Sequence, residues 1–561
     1  MLRVGNCSGF YGDRFAAMRE MLTGGDLDVL TGDYLAELTM LILARDRRSD
    51  PATGYARTFL AQLRDGLHQA LERGVRIVAN AGGVNPEGLV AAIRDLGLTS
   101  RIALVRGDDL TERAGPLGLG SPLGAHAYLG AFGIARALES GADVVVTGRV
   151  TDASLVVGPA VAHFGWDRTD LDALAGATVA GHVIECGAQA TGGNYAFFGE
   201  IRDPVRPGFP IAEIHADGSS VITKHPGTGG AVTVGTVTAQ LVYEVDDARY
   251  AGPDVTTRLD TISLRPDGPD RVRITGVRGE PPPPEVKVSC TSIGGYRNAV
   301  TVVLTGLDVE AKAELFRRQF TAACRTVPAE VTWTLARLDT PDAPTQEQAS
   351  ALLTVVARDA DETVVGRAFS EAAVEVALSS YPGFFSTAPP GRAHPYGVFT
   401  AGYVPQAVPA HEVVRADGTV ERIDPPPVTR RLEPLPGPPP GDPATGDPGP
   451  ARRLPLGTLA GARSGDKGGN ANVGLWVRDD AAYRWLAALI TEDTVRDLLP
   501  EAADRPVRIT RLPNIRAVNV VIEGLLGLGV AYHARFDPQA KGLGEWLRSR
   551  HVAIPDALER P

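Results

Sequence analysis

The sequence predicts an α/β protein: a mostly parallel sheet in the N-terminal region with a β-rich insertion, and a small α+β, ferredoxin-like domain at the C-terminus. Three observations predict it. The first 165 residues alternate short apolar runs with amphipathic stretches, the pattern of strands joined by crossover helices. Beyond residue 179 the pattern turns to alternating, β-rich segments. A stretch with 11 prolines among residues 425–450 then sets off a last piece of about 100 residues, enough for an independent domain.

In the first region, strands are expected at 2–5, 27–31, 75–79, 102–105 and 143–146, with helices at 54–73 and 125–139. The strands are followed by Asn6-Cys7-Ser8-Gly9, Gly32-Asp33, Asn80-Ala81-Gly82-Gly83, Gly107-Asp108-Asp109 and Gly148-Arg149. A parallel sheet gathers such turns at one edge, where open α/β sheets bind ligands. Asp13, Arg14, Asn80, Asp108 and Arg149 are therefore candidate substrate-binding residues. Any single turn is better read as glycine freedom plus a polar cap; five on one edge together point to a ligand crevice. Gly5, Gly9 and Gly12 miss the GxGxxG spacing, and no GxxxxGK[ST] occurs. No nicotinamide, ATP or other cofactor is expected.

Residues 141–195 hold the densest chemistry. A strand ends on Thr147-Gly148-Arg149, and Thr151 and Asp152 can cap the next helix. Arg149 is placed to grip a carboxylate or phosphate, or to pair with Asp152 and hold the turn. Further on come His182, Glu185, Cys186, Gln189 and Asn194. On a helix, His182, Glu185 and Cys186 share a face; on a strand, His182 and Cys186 do. Glu185 or Asp152 could move protons, given burial or a neighbour to raise the pKa. Cys186 could act as a nucleophile if His182 activated its thiol. Gln189 and Asn194 are candidate substrate contacts. The three ligand-type residues lack a zinc spacing, so no metal is expected.

In the insertion, strands at 212–215 and 220–223 flank Ala216-Asp217-Gly218, a β-branched run spans 231–237, and Gly227-Thr228-Gly229-Gly230 forms a bend or an anion nest. A second α/β portion follows, with strands at 286–289, 300–305 and 331–338 and helices at 309–324 and 368–378. The core is read as 1–424 with a subdivision near 280, the linker as 425–455 and the small domain as 456–561. That domain starts with a strand running into a glycine-rich loop. There Ser464, Asp466, Lys467 and Asn470 could hold an anion, or stabilise a tight turn. Strands at 471–477, 507–512, 518–522 and 531–535 and helices at 481–489, 491–498 and 543–549 complete it.

A net charge of −11 argues against a nucleic-acid partner. No run reaches the roughly 18 apolar residues of a membrane span. The N-terminus lacks a signal-peptide pattern. Four dispersed cysteines without a CxxC pair fit a reducing compartment, so a cytoplasmic protein, and by default a homo-oligomer, is expected.

Several motifs together resemble the acyclic terpene utilization (AtuA-like) family. They include Gly9-Phe10-Tyr11-Gly12-Asp13-Arg14, Asn85-Pro86, Gly107-Asp108-Asp109, Gly148-Arg149-Val150-Thr151-Asp152, Gly181-His182, Glu185-Cys186, Thr191-Gly192-Gly193 and Gly227-Thr228-Gly229-Gly230. Arg463-Ser464-Gly465-Asp466-Lys467-Gly468 resembles the C-terminal domain that accompanies it. The resemblance implies a role in catabolism of acyclic isoprenoids through branched acyl-CoA thioesters. The expected activity is hydratase or lyase chemistry on a branched or unsaturated acyl substrate. The rivals are a thioester hydrolase using Cys186 and a non-catalytic partner subunit of an acyl-CoA enzyme.

Overall fold

A computed structural model describes residues 1–433, 435 and 449–558; most of the expected linker lies outside the described residues. Strands β1 (Leu2–Asn6), β2 (Val29–Gly32), β3 (Arg76–Ala79), β4 (Ile102–Arg106), β5 (Gly124–Ala127), β6 (Val144–Thr147), β7 (Pro210–Ile214) and β8 (Ser220–Lys224) build the N-terminal region. Helices α1 (Ala17–Gly24), α2 (Glu37–Ser49), α3 (Arg57–Arg73), α4 (Pro86–Arg94), α5 (Phe132–Glu139), α6 (Ser154–Phe164) and α7 (Leu171–Ile184) alternate with them.

The sheet has eleven strands, and its heart is parallel in the order β1-β2-β3-β6-β4. These strands are mostly apolar, with polar residues mainly at their ends, as suits a sheet with both faces covered. On the β1 side the sheet continues antiparallel through β7, β8, Val272–Thr275 and Ser263–Pro266; on the β4 side, through Glu412–Val414 and Val420–Arg422. The large sheet is thus mixed, with a parallel centre.

Tertiary packing overrides the expected pattern at two places. Gly124–Ala127 forms a strand rather than the start of a helix, pairing antiparallel with Val288–Thr291; the helix begins only at Phe132. The β-branched run at 231–237 enters a helix, Val234–Leu241. Thr233 caps it reciprocally with Thr236, and a good cap outweighs weak β propensity.

Two compact units emerge. One contains the described residues of Met1–Thr291, Phe399–Val530 and Gln539–Pro561; the other contains Ser292–Val398 and Ala531–Pro538. In the second unit, Ser350–Asp359 pairs antiparallel with Glu330–Ala336 on one side and with residues 296–305 on the other. Helices Val309–Ala323 and Arg367–Glu375 bury Phe316, Phe320 and Phe369 against it. In the stretch 379–385, Tyr381 is buried, donating to the Val303 carbonyl at 2.9 Å, while Phe385 is exposed.

The C-terminal domain has a four-stranded antiparallel sheet: Gly461–Lys467, Asn470–Trp476, Ala517–Ile522, Val507–Leu512. One face presents Ala462, Ala471, Val473, Leu475, Val518, Val520 and Ile522 to an apolar core under Asp480–Leu489 and Leu543–Ser549. The stretch expected as a glycine-rich loop is instead two paired strands, with Lys467 opposite Asn470 and only Gly468-Gly469 between them. The physical reason is the alternation of Ala471, Val473 and Leu475 with Asn470, Asn472 and Gly474, which a strand satisfies, and a two-glycine turn that lets the preceding segment pair with it. No strand forms at 531–535; His551–Pro555, not anticipated, pairs with Ala451–Pro455 instead.

Candidate functional site

The parallel strands end on the residues that build the site. Beyond β6, Gly148 lies so close to Asp108 that a Cβ there would sit 2.4 Å from its carboxylate. Asp108 accepts from the Arg149 backbone N–H at 2.9 Å and lies 3.0 Å from His126 Nδ1. Burial pulls the His126 pKa down, but Asp108 and Asp109 together push it above the ordinary value. This fixes the backbone from which the Arg149 side chain departs.

The Arg149 guanidinium is buried, donates to Asp152 at 2.6 Å and lies 4.3 Å above the Tyr128 ring. Lys287 Nζ lies 4.8 Å from the same ring and 3.9 Å from Glu37, whose carboxylate accepts from Tyr128 Oη at 3.2 Å. Burial pushes the Glu37 pKa up, but Lys287 and Arg149 win and hold it below the usual range. Asp33 goes the other way. Burial, reinforced by the negative charge of Asp152 and Glu185, raises its pKa well above normal against Arg149 and Asn80. Asn80 donates to Asp33 at 2.6 Å and accepts from the Tyr34 N–H at 2.8 Å.

Helix α7 delivers the second half. Its C-terminal end is tied to β1, where Asn6 Nδ2 donates to the carbonyls of Ile184 and Glu185 at 2.7 and 2.9 Å. A Cβ on Gly9 would meet the Cys186 backbone at 2.7 Å, so only glycine admits this approach. His182 Nδ1 stands 3.2 Å from Glu185 Oε1. The pair is close enough for charge attraction but not aligned as a hydrogen bond. Both ring nitrogens of His182 and Oε2 of Glu185 are buried without a hydrogen-bond partner. Groups left that way are expensive and mark a place where a ligand can supply the partner. Burial pushes Glu185 to about 7; His182 opposes this, and Asp152 and Glu244 add to it. Burial also drives the Cys186 thiol pKa well up, with Glu185 and Glu244 adding to it.

The C-terminal sheet lines the remaining side. Its inner face carries Arg463, Gly465, Lys467, Asn472, Gly474 and Asn519. Asn472 accepts from the Glu244 N–H at 2.7 Å, and Asn519 donates to the Val245 carbonyl at 2.9 Å. Lys467 Nζ donates to the Glu244 carbonyl at 2.7 Å. These bonds hold Glu244 in the left-handed region, φ 57°, a strained conformation typical of functional sites. Lys541 lies 3.5 Å from Glu244 and 3.7 Å from Asp466 and donates to Tyr243 Oη. Burial and Glu244 push Asp466 to about 6, Lys541 pulling the other way. Arg463 lies 4.3 Å above the Tyr243 ring and donates to Gln189 Oε1.

Two family models match the chain with this geometry in view. Residues 2–415 match the acyclic terpene utilisation family protein AtuA, and residues 454–553 match the AtuA ferredoxin-like domain. The chain belongs to the AtuA family. Membership suggests acyclic terpene utilisation. No individually curated protein matches the chain.

The structure of this AtuA family member gathers Arg149, Asp152, His182, Glu185 and Cys186 with Gln189, Asp466 and Lys467. Asn80 and Asp108 lie behind them, bonded to Asp33 and to the Arg149 backbone. Four candidates stand apart. Asp13 caps its own turn, accepting from Gly9 N and Arg14 N. Arg14 donates to the Pro207 carbonyl, lies over Phe209 and pairs with Glu20. Asn194 is exposed on a left-handed turn, φ 55°. Asn470 ties the end of its hairpin to the segment after Ala517–Ile522, accepting from Gly524 N at 2.9 Å. Sequence reasoning missed the side chains of Glu37, Tyr128, Tyr243, Glu244, Lys287, Arg463 and Lys541, and Tyr250, whose ring lies 5.1 Å from that of His182. Of these, Tyr128 and Arg463 carried a local signal, each lying inside a motif of the family resemblance. Among the described residues no group of three or more His, Cys, Asp or Glu could hold a metal ion, and no helix is long and apolar enough to cross a membrane.

Proposed function

We propose that this chain is an enzyme acting on a branched or unsaturated acyl group carried as a CoA thioester, by hydratase or lyase chemistry. The observation that carries the reading is the buried Glu185–His182 pair, with a carboxyl poised at about 7 and three polar atoms free of partners. General acid–base catalysis works best with a pKa near the operating pH. On this reading Glu185 moves the proton on the carbon beside the thioester carbonyl. His182 holds Glu185 and exchanges protons with the departing or attacking oxygen. Arg149 and Lys467 stabilise negative charge developing on the thioester oxygen, worth far more in a buried site than in water.

The hydrolase alternative asks Cys186 to be a thiolate. Its raised pKa opposes that, which favours the proton-transfer reading. The test is turnover of α,β-unsaturated and 3-hydroxy acyl-CoA thioesters by the full chain. Glu185→Gln should lose at least about 100-fold in kcat, while Cys186→Ser should keep near-normal activity. A fatal Cys186→Ser alongside an active Glu185→Gln would reverse the assignment.

A further inference from the structure

Arg463 is an unusual arginine. Its residue is only 7% exposed, and its Nε is buried without a hydrogen-bond partner. Among the described residues no carboxylate lies within ion-pair distance of it; the two carboxylates of that neighbourhood, Glu244 and Asp466, are both engaged by Lys541. The other two buried arginines among the described residues, Arg149 and Arg358, each have an acidic partner. What Arg463 does have is a flat aromatic support in Tyr243 and a neutral amide in Gln189. A fixed, desolvated guanidinium without a counter-charge is costly to bury, and its planar fork suits two oxygens of an anion.

We propose that Arg463 is the receptor for an anionic group of the substrate, a carboxylate or a phosphate, docking next to Gln189 and Cys186. The inference rests on the reading of this cluster as a substrate site and narrows the substrate class: the molecule must carry an anionic group in addition to the neutral carbonyl where Glu185 works. Arg463 shares its strand face with Lys467, which donates one of its three N–H groups to the Glu244 carbonyl; to this face Arg463 adds a buried Nε–H without a partner. The C-terminal domain then has a functional reason to be in contact with the core, since it supplies the charge that the core at this point lacks. Two sources offer the anion: a free carboxylate on the acyl chain, or a phosphate of CoA.

The test uses the full chain and three probes, followed by thermal shift and calorimetry: glutarate, its uncharged diamide, and inorganic phosphate. Glutarate or phosphate should stabilise the protein, and the diamide should not. Glutarate alone assigns the anion to the acyl chain; phosphate alone assigns it to CoA. Arg463→Met should weaken that binding about 10- to 100-fold, the loss expected for hydrogen bonds to a charged group. Because the methionine variant could fail to fold, Gln189→Glu gives an independent readout: a tethered carboxylate should raise the melting temperature and abolish the response to the free anion. The proposal is overturned if neither anion binds, if Arg463→Met binds as tightly as the parent, or if Gln189→Glu still responds. Failure of the acyl-CoA reading looks different: anions bind through Arg463, yet no CoA thioester is bound or turned over.

Discussion

Glu185 and Cys186 are neighbours whose pKa values are both raised by burial, yet the consequences diverge. At about 7, Glu185 exchanges protons freely at neutral pH; the thiol beside it stays protonated. For stability the sign is explicit. The folded-state pKa of Glu185 lies above its ordinary 4.5, so its contribution is fully present below 4.5 and is lost as pH rises through about 7. The loss is about 3 kcal/mol for a shift of this size. In denaturant titrations between pH 4.5 and 8, Glu185→Gln should flatten this part of the parent's pH dependence and be the more stable protein above pH 7. For Cys186, the native chain at pH 8 should alkylate with iodoacetamide far more slowly than the unfolded chain, read by mass spectrometry at that peptide. Rapid native labelling would return the nucleophile to consideration.

At the scale of elements, the site depends on two joints. One is the approach of the β1 turn to the end of α7, where Gly9 meets Cys186 and Asn6 holds two carbonyls. Gly9→Ala must move backbone, not a pliable side chain, and should displace Glu185. The expected outcome is a loss of turnover larger than the accompanying drop in melting temperature would explain, measured by kcat and thermal unfolding together. The other joint is the asparagine pair of the C-terminal sheet. Asn472→Ala leaves the buried Glu244 N–H without its acceptor and should cost about 1–3 kcal/mol. Its effect on binding should resemble that of Arg463→Met, because the same segment carries Tyr243.

Across the whole molecule, the C-terminal sheet belongs to the same compact unit as the eleven-stranded sheet. Bonds from Asn472, Asn519, Lys467, Arg463 and Lys541 to residues 189 and 243–245 join them. A protease site introduced between residues 436 and 448 should therefore yield two pieces that co-elute on size exclusion, with activity retained. Separate elution would show that these contacts do not hold the domain by themselves.

The alternating α/β core and the small C-terminal α+β fold were legible along the chain, because periodicity, caps and glycine turns are properties of neighbours, and the family was legible in its motifs. Of the groups around Glu185, His182 was legible from its helical spacing, but Glu244 was not: it lies 59 positions away by number and owes its left-handed backbone to Asn472 on another sheet. Nor could spacing show that Asp33 and Glu37, four residues apart, have opposite pKa shifts. Only the tertiary structure decided that, by placing one among carboxylates and the other beside Lys287. The same holds for Arg463. A motif can present a guanidinium, but whether it is buried, and whether a counter-charge is there to meet it, depends on every chain segment around it.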